Sequence, residues 1–146
     1  MNALQRLGVV PLFAIAFLAQ AGLSAGEKKD KDKEKKLETI VVNDSLTNGD
    51  LKDKVRTQCF CKTYVFKMTE GKTYQLDMTS GNFDSYLRLE NQEGAQVAAD
   101  DDGGGYPSAR IIFRAPKTGD FTIICTTFGG GSTGKYTLNV KEIPGN

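Results

Sequence analysis

The stretch Tyr64-Val65-Phe66-Lys67-Met68-Thr69-Glu70-Gly71-Lys72-Thr73-Tyr74-Gln75-Leu76-Asp77-Met78 decides the fold. Tyr64, Phe66 and Met68 alternate with Val65 and Lys67; after a Glu-Gly break, Tyr74, Leu76 and Met78 alternate with Gln75 and Asp77. A period of two puts every second side chain on one face of a strand. Glycine at the break reaches positive φ without steric cost. The same pattern runs outward in both directions. Thr39 to Val42 is a short β-branched run. Downstream, Leu87 and Leu89 alternate with Tyr86, Arg88 and Glu90, and Ile111 and Phe113 alternate with Arg110, Ile112 and Arg114. Phe121, Ile123 and Cys125 then alternate with Thr122 and Ile124, and Tyr136, Leu138 and Val140 alternate with Thr137 and Asn139. Turn signals separate the runs at Asn48-Gly49, Glu70-Gly71, Glu93-Gly94, Gly103-Gly104-Gly105, Thr118-Gly119 and Gly129-Gly130-Gly131. Tyr74, Phe121 and Tyr136 each follow a turn glycine and open an alternation, which reads as three hairpin exits built alike. Strands with one apolar face each must bury those faces against a second sheet. The expected fold is all-β, an antiparallel β-sandwich.

The chain has 146 residues and a formal net charge of +1, room for one domain and little more. Such a charge supplies no clustered basic face, so nucleic acid is not expected as a partner. The absence of histidine removes Ser-His and Cys-His nucleophilic catalysis and His-ligated zinc. Residues 1–25 read as a secretory signal peptide: Arg6 is the basic n-region, Leu7 to Leu18 the apolar h-region. Either Ala19-Gln20-Ala21 or Leu23-Ser24-Ala25 can precede the cleaved bond. The apolar run falls short of the roughly 20 residues of a spanning helix, so no stable membrane insertion is expected after cleavage. The protein is expected to be secreted, to the periplasm or beyond the cell. Residues 26–36, rich in Lys, Asp and Glu, cannot bury enough surface to offset their ordering entropy and read as a disordered tether. Residues 37–146 form the folded domain.

Three constellations carry candidate chemistry. Gly129-Gly130-Gly131-Ser132-Thr133-Gly134-Lys135-Tyr136 approaches a phosphate-binding loop, but Tyr136 stands where a magnesium-holding hydroxyl belongs, and a strand rather than a helix follows. Asp100-Asp101-Asp102-Gly103 is the most polar cluster of the domain. With Asp84 it is a candidate calcium site, because calcium takes six to eight hard oxygens; the alternative is an acidic turn pinned by Asx-type bonds. No cofactor is required by the rest of the sequence. Cys59, Cys61 and Cys125 are an odd number of thiols, compatible with a disulfide from Cys125 to Cys59 or Cys61 and one thiol left free or intermolecular.

From about Thr57 to Val140 the domain resembles the bacterial pre-peptidase C-terminal domain family. The resemblance is carried by Glu70-Gly71-Lys72-Thr73-Tyr74-Gln75-Leu76-Asp77-Met78, Phe83-Asp84-Ser85-Tyr86-Leu87-Arg88-Leu89 and Asp100-Asp101-Asp102-Gly103-Gly104. Ala109-Arg110-Ile111-Ile112-Phe113-Arg114-Ala115-Pro116 and Thr118-Gly119-Asp120-Phe121 complete it, in order and spacing. It looks most like stand-alone secreted copies of the kind found in planctomycetes. The resemblance implies a jelly-roll-like sandwich and an accessory role in export, folding or attachment rather than catalysis. Related collagen-binding domains of clostridial collagenases bind calcium through an acidic N-terminal segment; that region here is lysine-rich, so neither that site nor collagen binding carries over.

The expected function is a non-catalytic binding, adhesion or export-accessory module whose ligand is an envelope polysaccharide or a secreted protein. Tyr86, Arg88, Tyr106 and Arg110 are the candidate ligand-binding residues, expected to point away from the core, where aromatics beside arginines suit polymer binding. The alternative is a structural or partner-stabilising subunit, linked through the odd thiol; oligomeric state is left open. A hydrolase is disfavoured, since the sequence offers no nucleophile elbow and no separated acid pair.

Overall fold

The computed structural model describes residues 39–145. The expected leader and tether lie outside the described residues. Eight strands follow in chain order: β1 (Thr39–Leu46), β2 (Lys62–Met68), β3 (Thr73–Thr79), β4 (Ser85–Glu90), β5 (Gln96–Asp100), β6 (Ala109–Arg114), β7 (Gly119–Thr127) and β8 (Gly134–Ile143). They form two antiparallel sheets, β1-β8-β3-β6 and β2-β7-β4-β5. The pairs 1/8, 2/7, 3/6 and 4/5 are all neighbours, as when a chain doubled back on itself at its middle is rolled into two layers. That is the strand order of a jelly roll.

The apolar parity read from the sequence is the parity of the core. Met68, Tyr74, Leu76, Met78, Leu87, Leu89, Ile111, Phe121, Ile123, Cys125, Tyr136, Leu138 and Val140 are buried between the sheets. Edge-to-face aromatic pairs, Phe66 with Tyr74 and Phe113 with Phe121, lock the layers at one side. Two expectations need correction. The connections after Glu70-Gly71, Thr118-Gly119 and Gly129-Gly131 cross from one sheet to the other, so the three aromatic exits are sheet crossings; β4–β5 is the hairpin. β5 was not evident in the sequence because Gln96-Val97-Ala98-Ala99-Asp100 offers the core little beyond Ala98.

The topology sorts the loops. Residues 47–61, 80–84, 101–108 and 128–133 gather at one end of the sandwich, while 69–72, 91–95 and 115–118 gather at the other. Loop 47–61 also folds back over the outer face of the β2-β7-β4-β5 sheet. Thr126 Oγ1 donates to Phe60 O at 2.7 Å, and Arg56 Nε donates to Thr127 O at 3.1 Å. Ile124 and Cys59 are buried in the layer so formed.

Candidate functional site

Loop 47–61 changes the meaning of Arg88. The side chain does point away from the main core, on the face opposite Leu87 and Leu89, but it is not a surface group: it is 1% exposed. Its guanidinium pairs bidentately with Asp53, whose Oδ2 accepts from Nε at 2.9 Å, and Nη1 donates to Glu90 Oε1 at 2.8 Å and Gln96 Oε1 at 3.0 Å. Lys54 closes the far side of Glu90 at 2.9 Å. Burial by itself would push the Asp53 and Glu90 carboxyls up. Arg88 at Asp53, and Lys54 with Arg88 at Glu90, outweigh it and hold both below the usual carboxylate range. Arg88 is therefore a buried bolt that fastens loop 47–61 to the sheet, not the exposed side chain expected from its parity.

Tyr86, two residues earlier on the same outward face, stands where the cover ends. Arg56 from loop 47–61 lies over its ring at 4.0 Å and over the Phe128 ring at 5.3 Å. Arg56 Nε and Nη2 donate to the Thr127 and Phe128 carbonyls. The guanidinium is thus fixed in place, and among the described residues it pairs with no carboxylate. A recess of about 310 Å³ opens beside it, lined by Val55, Arg56, Cys59, Phe128 and Gly130 among others. Arg56 and Phe128 were not singled out in the sequence; a lone arginine in a polar loop and a phenylalanine before three glycines carry no signal until the fold stacks them.

The other candidates are scattered. Tyr106 is 77% exposed on loop 101–108. Arg110 lies on the outer face of the other sheet, where Nε pairs with Asp77. Tyr86, Arg88, Tyr106 and Arg110 thus form no common surface.

The acidic turn divides in the same way. Asp100 Oδ2 accepts from the backbone amides of Gly103 (2.7 Å) and Arg110 (2.8 Å), and Asp101 Oδ1 accepts from Asp102 N at 3.0 Å. These are the Asx-type bonds of the alternative reading. Asp84 Oδ1 is buried without a hydrogen-bond partner, and burial, then Asp102 and Asp101, raise its carboxyl above the usual value. Among the described residues no group of three or more His, Cys, Asp or Glu side chains is arranged to hold a metal ion. Asp84 lies within electrostatic reach of Asp101 and Asp102, while Asp100 is taken up by backbone amides.

Cys59, Cys61 and Cys125 are free thiols, in place of the disulfide from Cys125. Cys125 belongs to the core between the sheets, whereas Cys59 is buried outside that core and Cys61 precedes β2 on the parity opposite to Tyr64. Burial pushes the Cys125 thiol far up, and burial with the Asp53 charge raises Cys61.

Comparison with known proteins places this sandwich. No curated protein shows significant similarity to the chain. Two solved structures are similar in fold. One is the pre-peptidase C-terminal domain of collagenase from Bacillus anthracis, with TM-score 0.54 and 19% identity over 70% of this chain and 89% of the other. The second is PliG, a periplasmic inhibitor of g-type lysozyme from Aeromonas hydrophila, with TM-score 0.52 and 13% identity over 75% and 90%. Residues 62–126, from the start of β2 to the end of β7, match the model of the bacterial pre-peptidase C-terminal domain. Over residues 62–126 the chain matches the bacterial pre-peptidase C-terminal domain family, and its fold is that of the collagenase domain.

Proposed function

We propose that this protein is an exported, non-catalytic binding module that grips a secreted protein with the loop end of its sandwich. One observation carries the reading: the apolar exposure of the loops is one-sided. Leu51 (82% exposed), Val55 (58%), Tyr106 and Phe128 (50%) all lie on three of the four loops of one end. The loops of the other end, 69–72, 91–95 and 115–118, expose no large apolar side chain and carry Glu70, Lys72, Glu93 and Lys117. Loops on a rigid scaffold are where binding residues concentrate, and an exposed apolar group of this kind marks an interaction surface. Arg56 adds the second ingredient. Arginine, tyrosine and phenylalanine dominate the energetics of protein interfaces, and a guanidinium already held by two carbonyls and two rings loses little freedom on binding. Its lack of an acidic partner selects a protein that presents a carboxylate.

The similar folds agree with such a role: one serves as a domain of a collagenase and the other inhibits a lysozyme. The alternative of a disulfide-linked subunit has only Cys61 to work with, since Cys59 and Cys125 are buried. The test is retention of secreted host proteins on immobilised protein. A partner held by wild type should be lost with Arg56→Gln and Phe128→Ser and kept with Glu93→Gln and Lys117→Gln. Equal loss in both sets, or no retained protein at all, overturns the proposal.

A further inference from the structure

A second recess lies on the β1-β8-β3-β6 side of the same end. It is an open cleft of about 590 Å³ between β1, the start of β8 and loop 80–84, within the usual range for ligand sites. Its lining is almost wholly hydroxyl and amide, from Asn43, Ser45, Thr79, Ser80, Asn82 and Thr137, with Lys135 at the rim. The walls are fastened by bonds that span long stretches of sequence. Ser80 Oγ donates to Lys135 O at 2.7 Å, and Lys135 N donates to Asn82 Oδ1 at 3.0 Å. Thr137 Oγ1 donates to Asn43 Oδ1 at 2.7 Å.

Those bonds decide what the cleft offers. A backbone N–H can only donate, so the Asn82 oxygen faces Lys135 and its amide NH2 is left for a ligand. Asn43 Oδ1 accepts from the Thr137 hydroxyl, and among the described residues its NH2 has no partner. The one carboxylate of the lining, Asp44, is already occupied: Oδ1 accepts from Lys62 Nζ and Ser45 N, both at 2.7 Å, and Oδ2 from Tyr64 OH at 2.8 Å. Lys62 neutralises it, and the Lys62 bond holds its carboxyl below the usual range. Lys135 is exposed and pairs with no carboxylate among the described residues. The cleft is thus donor-rich, with one unmatched positive charge. It has no stacking platform, since Tyr136 is buried with its hydroxyl against Tyr64. Neutral, flat-faced glycans bind by stacking on aromatic rings; this lining suits acceptor-rich sugars that carry a negative charge.

We propose that this cleft binds an acidic polysaccharide, a chain of hydroxyl-rich sugars bearing carboxylates, with Lys135 meeting the carboxylate and the Asn43 and Asn82 amides meeting sugar oxygens. The site stands apart from the Arg56 surface and goes beyond the protein-binding reading.

Affinity electrophoresis of the purified protein through gels containing polygalacturonate or dextran tests it. Polygalacturonate should retard the protein in a salt-sensitive manner, and dextran should not. Lys135→Gln removes the charge. Asn82→Asp keeps an oxygen to accept from Lys135 N but replaces the free donor by a second anion. Each should weaken retardation by about tenfold, Lys135→Gln by loss of a charge-assisted hydrogen bond and Asn82→Asp by loss of a donor with added repulsion, with an unchanged melting temperature. Arg56→Gln should bind polygalacturonate like wild type, which separates this proposal from the protein-binding one. Absence of retardation, equal retardation by dextran, or variants that bind as wild type would overturn it.

Discussion

Replacing Arg88 by methionine is the sharpest perturbation of the scaffold that presents the loop end. Methionine fills a similar stem but leaves Asp53, 2% exposed, without the cation that holds both its oxygens. Glu90 keeps Lys54, and Gln96 loses a donor. Removing one partner of a buried pair costs about 3–5 kcal/mol, because a buried charge is left uncompensated. That is a large share of the roughly 5–15 kcal/mol that stabilises a domain. Urea unfolding should therefore show a midpoint collapse in Arg88→Met. The double variant Asp53→Asn with Arg88→Met removes the stranded charge and should recover most of the loss, giving a coupling energy above about 2 kcal/mol in the cycle. The pH dependence carries the same signature. Asp53 and Glu90 titrate below their unfolded values, so their contribution is complete above about pH 4–5 and is lost as pH falls through the lower folded values. The double variant should lose less stability on acidification than wild type. If Arg88→Met unfolds within about 1 kcal/mol of wild type, the argument that Arg88 fastens loop 47–61 is refuted.

The remaining predictions concern single positions. Gly134 sits at φ 140° with the Asn82 side chain where a Cβ would go, so Gly134→Ala should cost about 1–3 kcal/mol in urea unfolding. Asp84 titrates above its unfolded value, so its charge opposes folding at neutral pH and the cost is relieved on acidification. Asp84→Asn should raise the melting temperature at pH 7 and flatten its change on acidification from there. Because Asp100 is held by backbone amides and no metal-holding group of three or more His, Cys, Asp or Glu occurs among the described residues, millimolar calcium should leave the wild-type melt unchanged relative to chelator; a rise of many degrees lost in Asp101→Ala would place a cation there. In native protein an alkylating reagent should modify at most Cys61, with Cys59 and Cys125 reacting on unfolding, as mass spectrometry of labelled peptides would record.

The sandwich was legible because each core strand carries its own evidence. Tyr74, Leu76 and Met78, or Phe121, Ile123 and Cys125, announce a buried face without reference to any other segment. β5 lacks that evidence, and it forms because β4 and the β4–β5 turn bring it into register. The outer faces were less legible, since parity says only which way a side chain points and not what comes to cover it. Arg88 points outward as its position implies, yet Asp53, 35 residues upstream, closes over it. A hint was present: Arg88 and Glu90 put opposite charges on one strand face beside Tyr86, an arrangement that suits a covering loop. Arg56 and Asn82 gave no such hint, because each acquires its role through partners far along the chain, Phe128 and Lys135.

The most direct test of the account places a photo-crosslinking side chain at Phe128 or Val55 and, as comparator, at Glu93 or Lys117, in protein produced by its own host. The account predicts a discrete protein adduct from the Phe128 and Val55 positions that disappears when Arg56→Gln is added, and none from Glu93 or Lys117. Adducts formed equally from both ends, or only from the Glu93 and Lys117 end, would contradict the assignment of the loop end as the binding surface.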